Sequence, residues 1–349
     1  MNNPIEAPPL LSQLLAGDSL DEATMAGAVG AIMDGEWSPV SIASFLTALR
    51  MRGETVDELS GAVAAMRSRA TRVRVDSDIV LDTCGTGGDG ASTFNISTTV
   101  AFVAAAAGVP VAKHGNRSVS SRSGSADVLE SLGVRIDGSP ATVERCIVEV
   151  GIGFLFAPAH HNAMRHAAPI RRELGFRTLF NLVGPLTNPA GASHQLVGIF
   201  DPERLHDVAS VLHRGGAKRA LVVHGSDGLD EITLSGPTHA VHVIDGALHE
   251  ITLHPEQAGV PCAPSETLKG GGPDENAAIT RAILAGTETG PRRDVVRLNA
   301  GAALWIAEAA PTLADGVALA TTLLDDGSAL ACLDGLVAAS NREDACPQS

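Results

Sequence analysis

Between Ile79 and Ala107 a short apolar run gives way to a cluster of glycines, then to an apolar stretch opened by Ser and Thr. The glycines are Gly85, Gly87, Gly88 and Gly90, within LDTCGTGGDGASTFNIST at residues 81–98. This order reads as strand, tight loop and helix start. Glycine lets a backbone turn at φ > 0 and aim several N–H groups at one point. The helix N-terminus that follows adds unpaired donors and a partial positive charge. The stretch predicts a βα turn shaped to hold an anion, with a strand over Ile79–Asp82 and a helix over Thr98–Ala107. Glycine loops also serve packing alone in many βα turns, so the weight rests on their company.

Short β-rich runs then alternate with helical ones. Strands are expected at Val109–Lys113, Gly153–Phe156, Gln195–Phe200 and Ala220–His224, with helices at Ala126–Leu132, Thr142–Val150 and Pro202–Arg214. Such alternation implies βαβ units and a mainly parallel sheet, whose ligands gather at the carboxyl ends of the strands. Thr238–Ile244 and Ala247–Leu253 flank Asp245-Gly246, a hairpin signal. Residues 275–340 return to Ala- and Leu-rich helices, and Pro261–Pro273 reads as a flexible loop.

Before Arg74 the chain reads as three helices. Ser19 and Glu22 form one capping box, Thr55 and Glu58 another, and Ser38-Pro39 places proline in a first turn. This unit has an apolar face to cover, either by dimerisation or by packing on the rest of the chain. The basic run His160–Gly175 and the run Phe176–Asn188 are expected to return to it as a hinge. The fold class is therefore α/β: an all-helical N-terminal domain (1–74, with 160–188) and a large α/β domain (75–159 and 189–341), ending in a tail (342–349).

A net charge of −15 and the absence of tyrosine leave no basic stripe or aromatic platform for nucleic acid. Five cysteines at irregular spacing read as free thiols in a reducing cytoplasm. No signal peptide or membrane span is expected.

Four further stretches accompany the glycine loop: KHGNRSVSS at 113–121, SGSADVLE at 123–130, Arg171 in PIRRELGFRT, and Asp230-Glu231 in GLDEIT. Donors, cations and adjacent acids together suit a phosphate-rich substrate carried with Mg²⁺. With RTLFNLVGPLTNP, these motifs make the chain, over residues 15–340, resemble the anthranilate phosphoribosyltransferase family of the nucleoside-phosphorylase-like class. The resemblance implies transfer of the phosphoribosyl group of phosphoribosyl pyrophosphate (PRPP) to the amine of anthranilate. It implies Mg²⁺, two ions per subunit, and a homodimer formed through the helical domain.

It also implies roles for particular residues. Gly85, Gly88, Asp89, Thr93, Asn95, Ile96, Ser97 and Thr98 would contact PRPP. So would Lys113, His114, Gly115, Asn116, Arg117, Ser118, Val119, Ser120, Ser121 and Ser125. Gly85, Asn116, Arg171 and His161 would border anthranilate, and Ser97, Asp230 and Glu231 would hold metal. No covalent nucleophile is expected.

Blander readings stand beside these. His114 is either a scaffold residue or a substrate contact. Arg172 and Arg177 are either helix-surface charges or guides for anions. His160, His161 and His166 lack the carboxylate spacing of a zinc site. A pyrimidine nucleoside phosphorylase of the same fold, or a nucleic-acid-binding relative, are the rival functions.

Overall fold

The computed structural model describes residues 5–118 and 122–343. Among the described residues four helices come first, where three were expected: α1 (Ala7–Leu15), α2 (Glu22–Asp34), α3 (Pro39–Arg52) and α4 (Val56–Arg69). α1 has no side-chain cap and begins with Pro8 and Pro9. Both lie in its first turn, where no N–H is required. The box expected at Ser19 does not form. Asp21 caps α2 instead, accepting from Thr24 N at 2.7 Å. The Thr55–Glu58 box does form. Glu58 is fully buried and also accepts from Leu20 N at 3.0 Å, joining α4 to the start of α2.

The α/β part begins with β1 (Leu81–Gly85), α5 (Ile96–Ala106), β2 (Val111–Gly115), α6 (Ser125–Ser131), α7 (Pro140–Val150) and β3 (Ile152–Phe156). β1 runs three residues past its expected end, because Cys84 and Gly85 pair with Val197 and Gly198. Asp82 thus lies inside a strand instead of ending one. The basic run at 160–175 is not one continuous element: it spans the end of α8 (Ala157–His160), a 3-10 turn at Asn162–His166 and α9 (Ala168–Leu174). His161 leaves helical geometry at φ −114°, ψ 54°, and Pro169 lies in the first turn of α9. Then follow α10 (Leu179–Val183), β4 (His194–Gly198), α11 (Leu205–Arg214) and β5 (Arg219–Gly225). The hairpin β6 (Thr238–Ile244) and β7 (Ala247–Leu253) has the bounds the sequence suggests, with Asp245 and Gly246 both at positive φ. Four helices close the chain: α12 (Pro273–Leu284), α13 (Pro291–Ile306), α14 (Leu313–Asp325) and α15 (Ser328–Ser340).

Among the described residues seven strands lie in the order β3-β2-β1-β4-β5-β6-β7, with β1 to β5 parallel and the hairpin antiparallel at one edge. Strand order reverses between β1 and β4. That is where an open parallel sheet leaves a crevice beyond its strand ends.

Strand residues alternate between two cores. Leu196, Leu221 and Val223 face a core shared with α5, α6 and α12–α15. Val197, Val222 and Val243 face a second core with α1–α4, α10 and α11. The helical bundle therefore packs on one face of the sheet. Ala167, Ile170, Leu179, Phe180 and Val183 of the returning segment lie in the same core. Arg67 ties α4 to α11, donating to Gly215 O at 2.8 Å. Among the described residues no single helix is long and apolar enough to cross a membrane. The stretch 261–273 is pinned where looseness was expected. Leu268 is fully buried, and Gly270 N donates to Ser92 O at 3.0 Å.

Candidate active site

Beyond β1 the chain turns through Gly87, Gly88 and Gly90, at φ +61°, +83° and +72°. Only here does the loop need glycine for its conformation. Gly85 needs it for space, since a Cβ would meet Asp230 Oδ2 at 2.6 Å. Asp230 accepts from Gly87 N at 2.7 Å. Glu231 accepts from Ser97 N, in the first turn of α5, at 3.1 Å. The two adjacent acids thus reach two different pieces of the same cradle, and each carboxylate sits on an amide placed to receive an anion.

Asp230 and Glu231 are positioned by residues the sequence reading did not select. Asn299 of α13 is fully buried and clamps the next residue. It accepts from Ile232 N and donates to Ile232 O, both at 2.9 Å. Gly198, at the end of β4, lies so close to the Asp230 carbonyl that a Cβ would overlap it. Burial pushes the Asp230 carboxyl up to about 7, with Asp89 adding to the rise. Burial and then the charge of Asp230 push Glu231 up to about 8. Three acids with only oxygen donors lie close together here, and burial first, then the neighbouring acid, disfavours the charged form of the two buried ones.

Lys113 is buried at 2% exposure, with its Nζ 2.5 Å from Thr83 O of β1. Its charge faces Asp82, Cys84 and Glu231, and burial lowers its pKa. Asp82, fully buried, accepts from His114 N at 3.1 Å and from Asn188 Nδ2 at 2.8 Å. Burial raises its pKa to about 6. Cys84 is buried and its thiol is raised well above its ordinary value, first by burial and then by Asp82. It is no thiolate nucleophile.

Past β2 the chain is held by its own hydrogen bonds. Asn116 N donates to Ser125 Oγ at 3.2 Å. Asp127 gathers Ser118 N at 3.0 Å and Gly124 N at 2.8 Å. Arg117 donates to Asp127 at 2.9 Å and to Glu130 at 2.8 Å, so its charge is largely neutralised within the loop. Val119, Ser120 and Ser121 lie outside the described residues.

The α5 contacts are mixed. Ser97 is half-buried at the cradle, and Thr93 pairs with Lys269. The side chains of Ile96 and Thr98 are buried in the core, which leaves them only backbone groups to offer. Asn95 is engaged with Ser123 and Asn276.

The rings of His114 and His161 lie 5.2 Å apart, both buried. Burial, followed by the neighbouring histidine, holds His114 well below its ordinary pKa. Burial and His160 hold His161 at about 4. Both are neutral at pH 7, and His114 Nε2 and both His161 nitrogens have no hydrogen-bond partner. His160 is buried with Nδ1 2.9 Å from Thr71 O. Among the described residues no group of three His, Cys, Asp or Glu side chains forms a metal-ligand set by itself.

Arg171 is half-buried on α9. Its Nη2 donates to Asn181 Oδ1 at 3.2 Å and its guanidinium lies 5.4 Å from the Phe180 ring. Its Nε is buried and unpartnered. Six residues on, Arg177 reaches the glycine loop and donates to Thr86 O at 2.7 Å.

With this geometry in place, the comparisons with known proteins fall on the same parts of the chain. Residues 8–70 match the helical bundle domain of a glycosyl transferase family, and residues 77–330 match its α/β domain. An anthranilate phosphoribosyltransferase of Moorella thermoacetica is 56% identical over 328 residues, covering 94% of this chain and 96% of that protein. The crystal structure of anthranilate phosphoribosyltransferase from Thermus thermophilus aligns with a TM-score of 0.90 at 49% identity, covering 95% of this chain and 99% of that one. The Saccharomyces cerevisiae enzyme, in complex with PRPP and Mg, aligns with a TM-score of 0.90 at 26% identity, covering 97% and 99%. Bundle, switch-point crevice and sequence agree: the chain belongs to the anthranilate phosphoribosyltransferase family, a group of pentosyltransferases.

Proposed function

We propose that this protein transfers the 5-phosphoribosyl group of PRPP to the amine of anthranilate and releases pyrophosphate, with Mg²⁺ bound. The observation that carries this reading is the pairing of Asp230 and Glu231 with the Gly87 and Ser97 amides at the sheet's switch point. The amides suit phosphate oxygens. The residues also suit a hard cation: Asp89, Asp230, Glu231 and Ser97 offer only oxygen, and Asp230 and Glu231 are buried where a neighbouring acid makes each one's charge less favourable. Phosphate oxygens of the substrate would complete a ligand set that the side chains leave short. Two ions per subunit is the stoichiometry we propose, the cradle side and the acid side each taking one.

The residues divide the work simply. Cleavage of the C1–O bond leaves positive character on the ribose and negative charge on pyrophosphate. Bound Mg²⁺ supplies charge that offsets the latter. The Gly87 and Ser97 amides would stabilise that charge once the Asp230 and Glu231 carboxylates now seated on them turn to the cation. An aryl amine is neutral at pH 7 and attacks without a dedicated base. Arg171 would offer a planar fork to the anthranilate carboxylate. The two-domain partition and self-association through the bundle belong to the same proposal, the latter supported by Leu15, Val40 and Met51, which are exposed on α1 and α3.

Loss of anthranilate fluorescence on adding PRPP and Mg²⁺ tests the reading. Cleavage of thymidine by phosphate, with no use of PRPP, would transfer the protein to the nucleoside phosphorylases. Arg171→Ala should raise the KM for anthranilate about tenfold or more while the KM for PRPP stays near its starting value. Steady-state kinetics with each substrate varied decides this, and an unchanged anthranilate KM removes Arg171 from the acceptor side.

The acid pair also makes metal binding depend on pH. Its folded-state pKa values are raised, so the ligand-free fold is favoured when both acids are protonated. It loses stability as pH climbs from the ordinary carboxylate range through about 7 and 8. A cation on the pair restores what deprotonation removes. The gain in Tm on adding Mg²⁺ should therefore be larger near pH 8.5 than near pH 6. Thermal scans at both values check it, and equal gains would show that the cation binds elsewhere.

A further inference from the structure

Among the described residues, Arg177 is the one cation whose hydrogen bond holds the glycine loop directly. Its Nη2 donates to Thr86 O at 2.7 Å. Its guanidinium stacks 4.0 Å from the Phe200 ring, at the turn after β4. The same guanidinium crosses Gly88 so closely that a Cβ there would overlap Nη1. Its Nε is buried with no partner. Asp230 and Asp89 are the charges that attract it, and Arg50 of α3 is the one that repels it. The side chain is therefore clamped on one side by an aromatic face and on the other by a loop backbone. It stands beside the acids that crowd the cradle.

We infer that Arg177 is a positioning residue for the donor side of the site, holding the Thr86–Gly88 backbone in its amide-presenting shape and offsetting the charge of Asp89 and Asp230 so that a polyanionic sugar can enter. The inference rests on the proposed PRPP reading. Stacking on Phe200 fixes the guanidinium plane. A planar cation so fixed can hold a carbonyl and still leave donors on its other edge. A lysine keeps the charge but loses the plane.

The two parts of this role push two ligands in opposite directions. Without the Arg177 charge, the acids attract a divalent cation more strongly and repel a phosphorylated sugar more strongly. A role confined to folding would weaken both ligands together.

The test is calorimetric titration of PRPP with Mg²⁺, anthranilate being absent, into the wild-type protein, Arg177→Met and Arg177→Lys. In parallel, Mn²⁺ is titrated into the sugar-free proteins and followed by water relaxation. Thermal melts of all three accompany both. Arg177→Met should weaken PRPP about tenfold or more and tighten Mn²⁺ severalfold. Arg177→Lys should return Mn²⁺ to the wild-type value while PRPP stays weakened. If Arg177→Met binds PRPP as the wild type does, or weakens PRPP and Mn²⁺ alike, the inference is overturned. A wild-type protein that takes up no PRPP removes the functional reading, and the inference with it.

Discussion

Asp230→Asn combined with Glu231→Gln should cut Mg²⁺-dependent turnover by about a hundredfold or more while leaving the fold intact. The amides of Gly87 and Ser97 keep acceptors in the variant, because an amide oxygen still accepts a hydrogen bond. The loop therefore holds its shape, and the neutral replacements relieve the mutual repulsion that raises both acids. Melting temperature should hold steady or rise. What disappears is the charge that recruits the cation. The measurement is kcat against Mg²⁺ concentration, with a thermal scan as control. A wild-type metal response in a folded variant would show that the acid pair has no part in binding it.

Gly198→Ala should be the most damaging single-methyl change near the site. The added carbon would overlap the Asp230 carbonyl, which is backbone and cannot swing aside. Gly198 is itself locked in register between β1 and β5, opposite Gly85 and Val223. The strain must pass into the 229–232 segment, whose far side Asn299 clamps. Overpacking of this kind costs about 1–3 kcal/mol. It should also displace both acids and lower turnover about tenfold or more. Gly87→Ala offers the contrast. That position has φ +61° and open space around a Cβ, so the cost is limited to about 1–2 kcal/mol of backbone strain. Paired thermal and kinetic measurements separate the two. A Gly198→Ala variant that melts and turns over like wild type would mean the Asp230 segment is not fixed by β4.

Much of this was legible in the sequence where the signal is local. The hairpin could be read because Asp245-Gly246 is both the turn and its chemistry. The glycine loop could be read because its φ > 0 positions admit few other residues. Asp230-Glu231 stood out as an acid pair beside a strand, but its division between two amides needed β1 and β5 brought together through β4. Other features were invisible for the same reason. Arg177 owes its place to Phe200 and Thr86, and Gly198 owes its lack of a side chain to the carbonyl of Asp230, remote in sequence. Asp82 looked like the end of a strand because a charge interrupts the apolar run. It is tolerated inside because His114 N and Asn188 satisfy it and Lys113 lies near. α1 is absent from the helices read in the sequence because it carries no capping box; Pro8 and Pro9 occupy first-turn positions that need no donor. Lys113 could be picked out by its motif, but its Nζ on the Thr83 carbonyl and its charge facing Glu231 depend on segments remote in sequence.

The most direct test is a crystal structure with PRPP and Mg²⁺ bound. Phosphate oxygens should lie on the Gly87 and Ser97 amides, with the Asp230 and Glu231 carboxylates released from them toward the cation. Finding both carboxylates still seated on those amides, and the sugar bound elsewhere, would contradict the account.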